Sequence, residues 1–168
     1  AGDDIFESTI GTDVLDGGGG HNRLRYTAAQ SGVNVDLRNT GPQDTGGGGT
    51  DTLHNFQDVD GGLWGDMLTG TTADNVLDGS SGNDILYRGG GKDTLLGGYG
   101  DDFIHDDGSG SVIDGGPGYD TLYLDRSAAI VPISLLLNHS GDKFSGTLGF
   151  DGTSISNIQD LKLVTGSG

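Results

Sequence analysis

Seven oxygen-bearing side chains recur at nine-residue spacing between Gly61 and Tyr123: Asp66, Asn75, Asp84, Asp93, Asp102, Ser111 and Asp120. Each follows a stretch rich in glycine, and the chain carries 35 glycines in 168 residues. Carboxylates at one fixed spacing suit a hard cation. Calcium takes about six to eight oxygen ligands, drawn from carboxylates and backbone carbonyls alike. Glycine lets the backbone turn its carbonyls toward such an ion. Catalysis has no comparable pattern to rest on. The histidines His21, His54, His105 and His139 share no motif, and GxSxG, P-loop and HExxH sequences are absent. The repeat accounts for the Asp spacing without a glycosidase pair, so no catalytic residue is expected. There are no cysteines, which excludes disulfides and thiolate zinc sites.

These side chains need elements that repeat with the same period. From Gly61 the chain divides into GGLWGDMLT, GTTADNVLD, GSSGNDILY, RGGGKDTLL, GGYGDDFIH, DDGSGSVID and GGPGYDTLY, and the eighth position is always aliphatic: Leu68, Leu77, Leu86, Leu95, Ile104, Ile113 and Leu122. Positions seven to nine predict a short strand with position eight facing a core and its neighbours facing out. Glycines at positions one, two and four predict left-handed turns. Two nonapeptides then make one coil with a strand on each side. Upstream, AGDDIFE, STIGTDVLD, GGGGHNRLR and GGGGTDTLH repeat the pattern and bring Asp4, Asp13, Asn22 and Asp51 to the sixth position.

Composition narrows the partners. Hydrophobic residues are 32% of the chain, so something besides an apolar core must help hold it together. The formal net charge is −17 and Glu7 is the only Glu. Asp favours turns, and an excess this large argues against nucleic acid or anionic membrane as partners. It also predicts self-repulsion in the metal-free chain. No apolar run approaches the length of a membrane span, and no signal peptide is visible. The chain opens in mid-pattern, so neighbouring domains of a larger parent chain are expected.

The array resembles the RTX family, the hemolysin-type calcium-binding repeats GGxGxDxUx. The resemblance implies an all-β fold, a right-handed parallel β-roll or solenoid of nonapeptide repeats, here with irregular capping rungs. It implies Ca2+ as the cofactor, each ion lying between loops stacked one coil apart. Sorting alternate repeats separates two edges. One carries Asp66, Asp84, Asp102 and Asp120; the other carries Asn75, Asp93 and Ser111, with glycines lost at Ala73 and Ser109. Sites are expected between the loops of Asp84 and Asp102 and of Asp102 and Asp120. The loop backbone enters through Gly79, Ser81 and Gly82, through Gly97, Gly98, Tyr99 and Gly100, and through Gly115, Gly116 and Gly118. A further site is expected at Asp66–Asp84, where Trp64 occupies a glycine position, and a weak one at Asn75–Asp93. Around Ser111, water or a neighbour such as Asp106 or Asp107 would substitute. Asp4 and Asn22 stand one coil apart and could share an ion, and Asp13 and Asp51 are ligand candidates of the same kind. For any one Asp the alternative is a turn-capping carboxylate.

The expected organisation is a short first array over 1–25, an irregular strand-loop-strand rung with one GGGGTD loop over 26–60, the seven-repeat array over 61–123, and a second irregular rung or C-terminal cap over 124–168. The irregular segments resemble each other: Val33–Leu37 matches Val131–Leu135, and Asn55-Phe56-Gln57-Asp58-Val59 matches Asn157-Ile158-Gln159-Asp160-Leu161. They read as caps or, alternatively, as a ligand-binding module. One outward face collects Tyr87, Phe103, His105 and Tyr123, either covered by the chain's own flanking segment or open to a partner such as a neighbouring domain, a polysaccharide or a cell-surface component. The expected function is a non-catalytic structural module of a secreted bacterial protein, folded by calcium outside the cell or at its surface after type I secretion. The alternative is a carbohydrate- or surface-recognition module of an adhesin or extracellular enzyme.

Overall fold

The computed structural model describes residues 2–128, 135–149 and 151–166, and every regular element among them is a strand. In chain order these are β1 (Ile5–Glu7), β2 (Gly11–Asp16), β3 (Arg23–Arg25), β4 (Asn34–Asp36), β5 (Pro42–Gly46) and β6 (Gly49–His54). There follow β7 (Asp58–Gly62), β8 (Met67–Thr69), β9 (Val76–Ser80), β10 (Ile85–Tyr87), β11 (Thr94–Leu96) and β12 (Phe103–Asp106). The last six are β13 (Val112–Asp114), β14 (Thr121–Arg126), β15 (Leu135–Ser140), β16 (Lys143–Leu148), β17 (Ser154–Ile158) and β18 (Asp160–Thr165).

The nine-residue period becomes an alternation between two sheets. Strands β8, β10, β12 and β14 pair in parallel, with Leu68, Leu86, Ile104 and Leu122 in register at eighteen-residue steps. Strands β7, β9, β11 and β13 do the same with Val59, Leu77, Leu95 and Ile113. All eight of these residues are buried, while positions seven and nine are mostly half-buried. Each stacked aliphatic contributes about 1.5–3 kcal/mol by burial. These two ladders are the core that fixes the spacing of the loops.

Segments outside the period complete the sheets. The six-stranded sheet runs β18-β14-β12-β10-β8-β4, so both its edges come from irregular segments. The nine-stranded sheet runs from β1 to β17-β16-β15, the last three antiparallel. A third sheet, β2-β6-β5, joins a parallel pair to an antiparallel hairpin. The similarity of 55–59 to 157–161 is structural. Asn55 and Asn157 both take left-handed φ, 60° and 54°. The carbonyl of Asn22 accepts the N–H groups of Gln57 and Asp58, and that of Asp120 accepts those of Gln159 and Asp160. Val131–Ser134, the expected counterpart of Val33–Asp36, lies outside the described residues.

Candidate metal centre

On the first edge each sixth-position carboxylate is tied into a ladder. Oδ1 of Asp84 accepts the N–H of Asp66 at 2.7 Å, Oδ1 of Asp102 that of Asp84 at 2.8 Å, and Oδ1 of Asp120 that of Asp102 at 3.0 Å. One oxygen of each carboxylate is therefore committed. The other is not: Oδ2 of Asp84, Asp102 and Asp120 is buried without a hydrogen-bond partner. Asp66 differs, because Gly62 N–H donates to its Oδ2 at 2.6 Å and Val33 N–H to its Oδ1 at 2.7 Å.

The free oxygens face room that only glycine leaves. A methyl group on Gly79 would meet Asp84 Oδ2 and come within 2.5 Å of the Gly97 carbonyl oxygen. On Gly97 it would meet Asp102 Oδ2 and lie 2.6 Å from the Gly115 carbonyl oxygen. On Gly115 it would meet the Asn157 carbonyl oxygen and lie 2.7 Å from Asp120 Oδ2. Position-one glycine is thus required for space, a correction to the expectation of left-handed backbone there. Left-handed φ does occur at position four, 123° at Gly82 and 129° at Gly100. The loops stack directly, with Gly82 N–H donating to the Tyr99 carbonyl at 2.8 Å and Gly98 N–H to that of Gly115 at 3.2 Å. Ser81 bridges Tyr99 in parallel, and Gly116 and Gly118 lie over Gly98 and Gly100.

Burial makes these carboxylates reluctant acids. Desolvation, with the neighbouring Asp66 and Asp102 charges adding to it, pushes Asp84 up to about 7. Burial pushes Asp102 up to about 6 and raises Asp66 and Asp120. A buried carboxylate oxygen with no donor, beside an inward carbonyl, fits calcium's preference for oxygen ligands. Among the described residues no three His, Cys, Asp or Glu side chains converge as a metal cluster, so backbone carbonyls have to complete any cage. At the far end, Gln159 takes the ladder position: its Oε1 accepts Asp120 N–H at 2.7 Å while its Nε2 donates to the Gly118 carbonyl at 2.7 Å. Lys143 Nζ donates to the Gly116 carbonyl at 3.1 Å, and its charge partly offsets the effect of burial on Asp120.

The second edge is built differently. Asn22 Oδ1 accepts Asp4 N–H at 3.1 Å, and Asn75 N–H donates to Asp93 Oδ1 at 2.7 Å. The amide nitrogens point at carbonyls, Asn22 Nδ2 to Asn55 at 3.0 Å and Asn75 Nδ2 to Gln57 at 2.6 Å. Gln57 Oε1 accepts Asn22 N–H at 2.7 Å. Asp93, pushed up to about 6 by burial, has Oδ2 3.2 Å from Arg88 Nε. Asp106, one of the expected substitutes at Ser111, instead receives Arg126 and Arg88 on Oδ1; Ser111 Oγ and Asp106 Oδ2 are buried without partners. Gln57 and Gln159 were not among the expected site residues, although Gln57 stands nine residues before Asp66 and so keeps the period.

Asp13 of the first array and Asp51 of the GGGGTD loop are register partners, and Asp13 N–H donates to Asp51 Oδ1 at 3.3 Å. Asp51 Oδ2 accepts the Tyr26 and Thr45 hydroxyls, both at 2.9 Å. Asp13 Oδ2 accepts the exposed Thr9 hydroxyl at 3.1 Å.

The aromatic face forms a stack across strands. Ring centroids are 5.7 Å apart for Tyr87–His105 and 5.1 Å for His105–Tyr123, the latter pair stacked with ring planes nearly parallel at 10°. Phe103 lies one pleat away in the same sheet, in register with Ile85 and Thr121. Beside the stack lies a cavity of about 680 Å³, lined by Tyr87 and His105 and, farther along the same sheet and beyond its edge strand β4, by Asn34, Asp36, Arg38 and Gln43. No helix among the described residues is long and apolar enough to cross a membrane.

No curated protein matches the chain. The family model of the RTX calcium-binding nonapeptide repeat, in four copies, matches residues 1–26, 60–95 and 87–122. These stretches together make up more than half of the sequence and carry the sixth-position ladder of both edges, so the chain belongs to the family of RTX calcium-binding nonapeptide repeat proteins.

Proposed function

We propose that this chain is a non-catalytic, calcium-folded structural module of a secreted bacterial protein. In this reading its two parallel ladders form a right-handed β-roll, with 1–25 and 61–123 as the metal-binding arrays and 26–60 and 124–168 as irregular capping rungs. The observation that carries it is the row of buried, donorless oxygens on Asp84, Asp102 and Asp120. Calcium, when bound, supplies the positive charge those oxygens lack. Asp84, Asp102 and Asp120 would hold it with the carbonyls of Gly97 and Gly115, and their Oδ1 ladder keeps the loops one coil apart. Binding to the folded chain alone then drives folding by linkage. In calcium-poor cytosol the acidic chain would stay open for export, and outside the cell it would close. A calcium titration followed by circular dichroism tests this: strand content should be low in chelator and rise cooperatively with calcium. Full strand content in chelator would sink the proposal.

A second reading has one observation in its favour, the polar cavity beside the Tyr87–His105–Tyr123 stack. It would make the same face a recognition surface for a neighbouring domain or a neutral polysaccharide. Replacing Tyr87 and Phe103 by Ser separates the two. Loss of thermal stability alone points to internal packing, and loss of glycan retention with stability intact points to recognition.

A further inference from the structure

Position one of each repeat divides the edges more sharply than position six does. On the first edge it is Gly61, Gly79, Gly97 and Gly115; on the second it is Gly70, then Arg88 and Asp106. Where the first edge leaves between carboxylate and carbonyl a gap too narrow for a methyl group, the second places two side chains at the same position. Both are buried, Arg88 at 5% side-chain exposure and Asp106 at 0%. The Arg88 guanidinium reaches Asp93 Oδ2 at 3.2 Å, Asp106 Oδ1 at 3.5 Å and the Ser109 carbonyl at 3.2 Å. Gly108 makes way for it, since a Cβ there would overlap Arg88 Nη1. About one coil beyond Asp106, Arg126 repeats the arrangement at 3% side-chain exposure. Its Nη1 donates to Asp106 Oδ1 at 3.0 Å and to the Asp106 carbonyl at 2.9 Å, its Nε to Asp151 Oδ2 at 2.8 Å, and its Nη2 to Thr153 Oγ1 at 3.2 Å. Each guanidinium thus gathers carboxylate and carbonyl oxygens from successive coils, the same class of ligand that the first edge offers to an ion.

We propose that the Arg88 and Arg126 guanidinium groups take the place of metal ions on the second edge of the 61–123 array, so that within this array calcium is confined to the edge of Asp84, Asp102 and Asp120. Guanidinium suits this role because it stays charged at every working pH and offers five donors in a fixed fork. Asp106 Oδ2 is as donorless as the oxygens of the first edge, but its carboxylate already has two guanidinium charges on Oδ1, whereas Asp84 and Asp102 have no cationic side chain among the described residues bound to theirs. The inference rests on the calcium reading above and narrows it, making the module half metal-closed and half closed by its own side chains.

Crystals of the unaltered chain grown in calcium, with anomalous scattering measured at long wavelength, test the two separately. Peaks beside Asp84, Asp102 or Asp120 and none beside Asp93, Asp106 or Ser111 are expected. A peak beside any of the last three overturns the guanidinium proposal. No peak on either edge overturns the calcium reading on which it rests. In solution, Arg88→Met should raise the calcium midpoint of folding about fivefold. That is the cost of stranding a buried carboxylate pair, spread over the three ion sites expected along the first edge. Arg88→Lys, which keeps the charge, should shift it less than about twofold. Equal shifts for Met and Lys, or an unchanged midpoint for Met, would show that no cation is needed there. Should the Met variant fail to fold in saturating calcium, the crystal test decides.

Discussion

A single methyl group at position 97 would distinguish a cation cradle from a tight turn. Gly97 has no left-handed φ to protect, so Ala at this position would disturb only the space between Asp102 Oδ2 and the Gly115 carbonyl. Gly97→Ala should lower the bound calcium count by one in native mass spectrometry. The matched control, Gly19→Ala, has nothing within 4 Å of its Cβ and should leave the count unchanged. Titration gives a second reading of the same residues. A carboxyl whose folded pKa is raised contributes stability that is complete below its unfolded value and is lost as pH rises through the folded value. For Asp84 and Asp102 that window runs from the ordinary 3.8 up to about 7 and about 6. In chelator the chain should therefore hold more strand at pH 5 than at pH 8. In saturating calcium the order should reverse, because metal binding requires the ionised ligands. Circular dichroism at the two pH values checks it, and the same order with and without calcium would contradict it. Asp84, Asp102 and Asp120 were legible because the period names them. Arg88 was less so: its side chain reaches a partner eighteen residues on, and the only sequence signal was a non-glycine at position one.

Each repeat strand is three to six residues long and could not stand alone. What stabilises it is the stack of eighth-position side chains above and below. Leu86 sits between Leu68 and Ile104, fully buried. Leu86→Ala should cost about 2–5 kcal/mol in calcium-saturated denaturant unfolding. Tyr119→Ala, at a site 58% exposed, should cost less than about 0.5 kcal/mol. If the two costs were equal, the ladder would not be the core. Periodicity exposed these strands because a nine-residue repeat with one aliphatic slot admits one register. The hairpin β5–β6 and the antiparallel run β15–β17 were hidden for the opposite reason. Alternating residues such as Lys143–Leu148 announce a strand but say nothing about which neighbour it pairs with or in which direction. The Asn-x-Gln-Asp segments sat between these cases. Their likeness was visible, but a carboxamide serving as a ladder rung was not.

Taken as a whole, the molecule has a core only two ladders wide, a net charge of −17 and two ends to a parallel stack. Charge repulsion opposes coiling throughout, and each added coil gains contacts only with its neighbour, so the ends are the weakest rungs. At the C-terminal end, β18 pairs with all six residues of β14 and brings Leu161 and Leu163 against the buried core. Gln159 meanwhile occupies the last rung of the first-edge ladder and satisfies the Gly118 carbonyl without a metal. A chain ending at Arg126 would keep every nonapeptide and every first-edge Asp but lose β15–β18. It would leave β14 and β13 as open, unpaired edges, which invite association. Its calcium midpoint should rise several-fold, because the same ions must now also compensate for the missing rung. Light scattering should detect oligomers absent from the full chain. A truncated chain that folded as a monomer at the original midpoint would mean that the repeats close themselves and that residues 127–166 serve another purpose. The sharper comparison is Gln159→Ala in the full chain, which keeps β18 but frees Asp120 N–H and the Gly118 carbonyl. If that one change reproduces most of the truncation's midpoint shift, the carboxamide rung rather than the extra strand is what ends the calcium ladder.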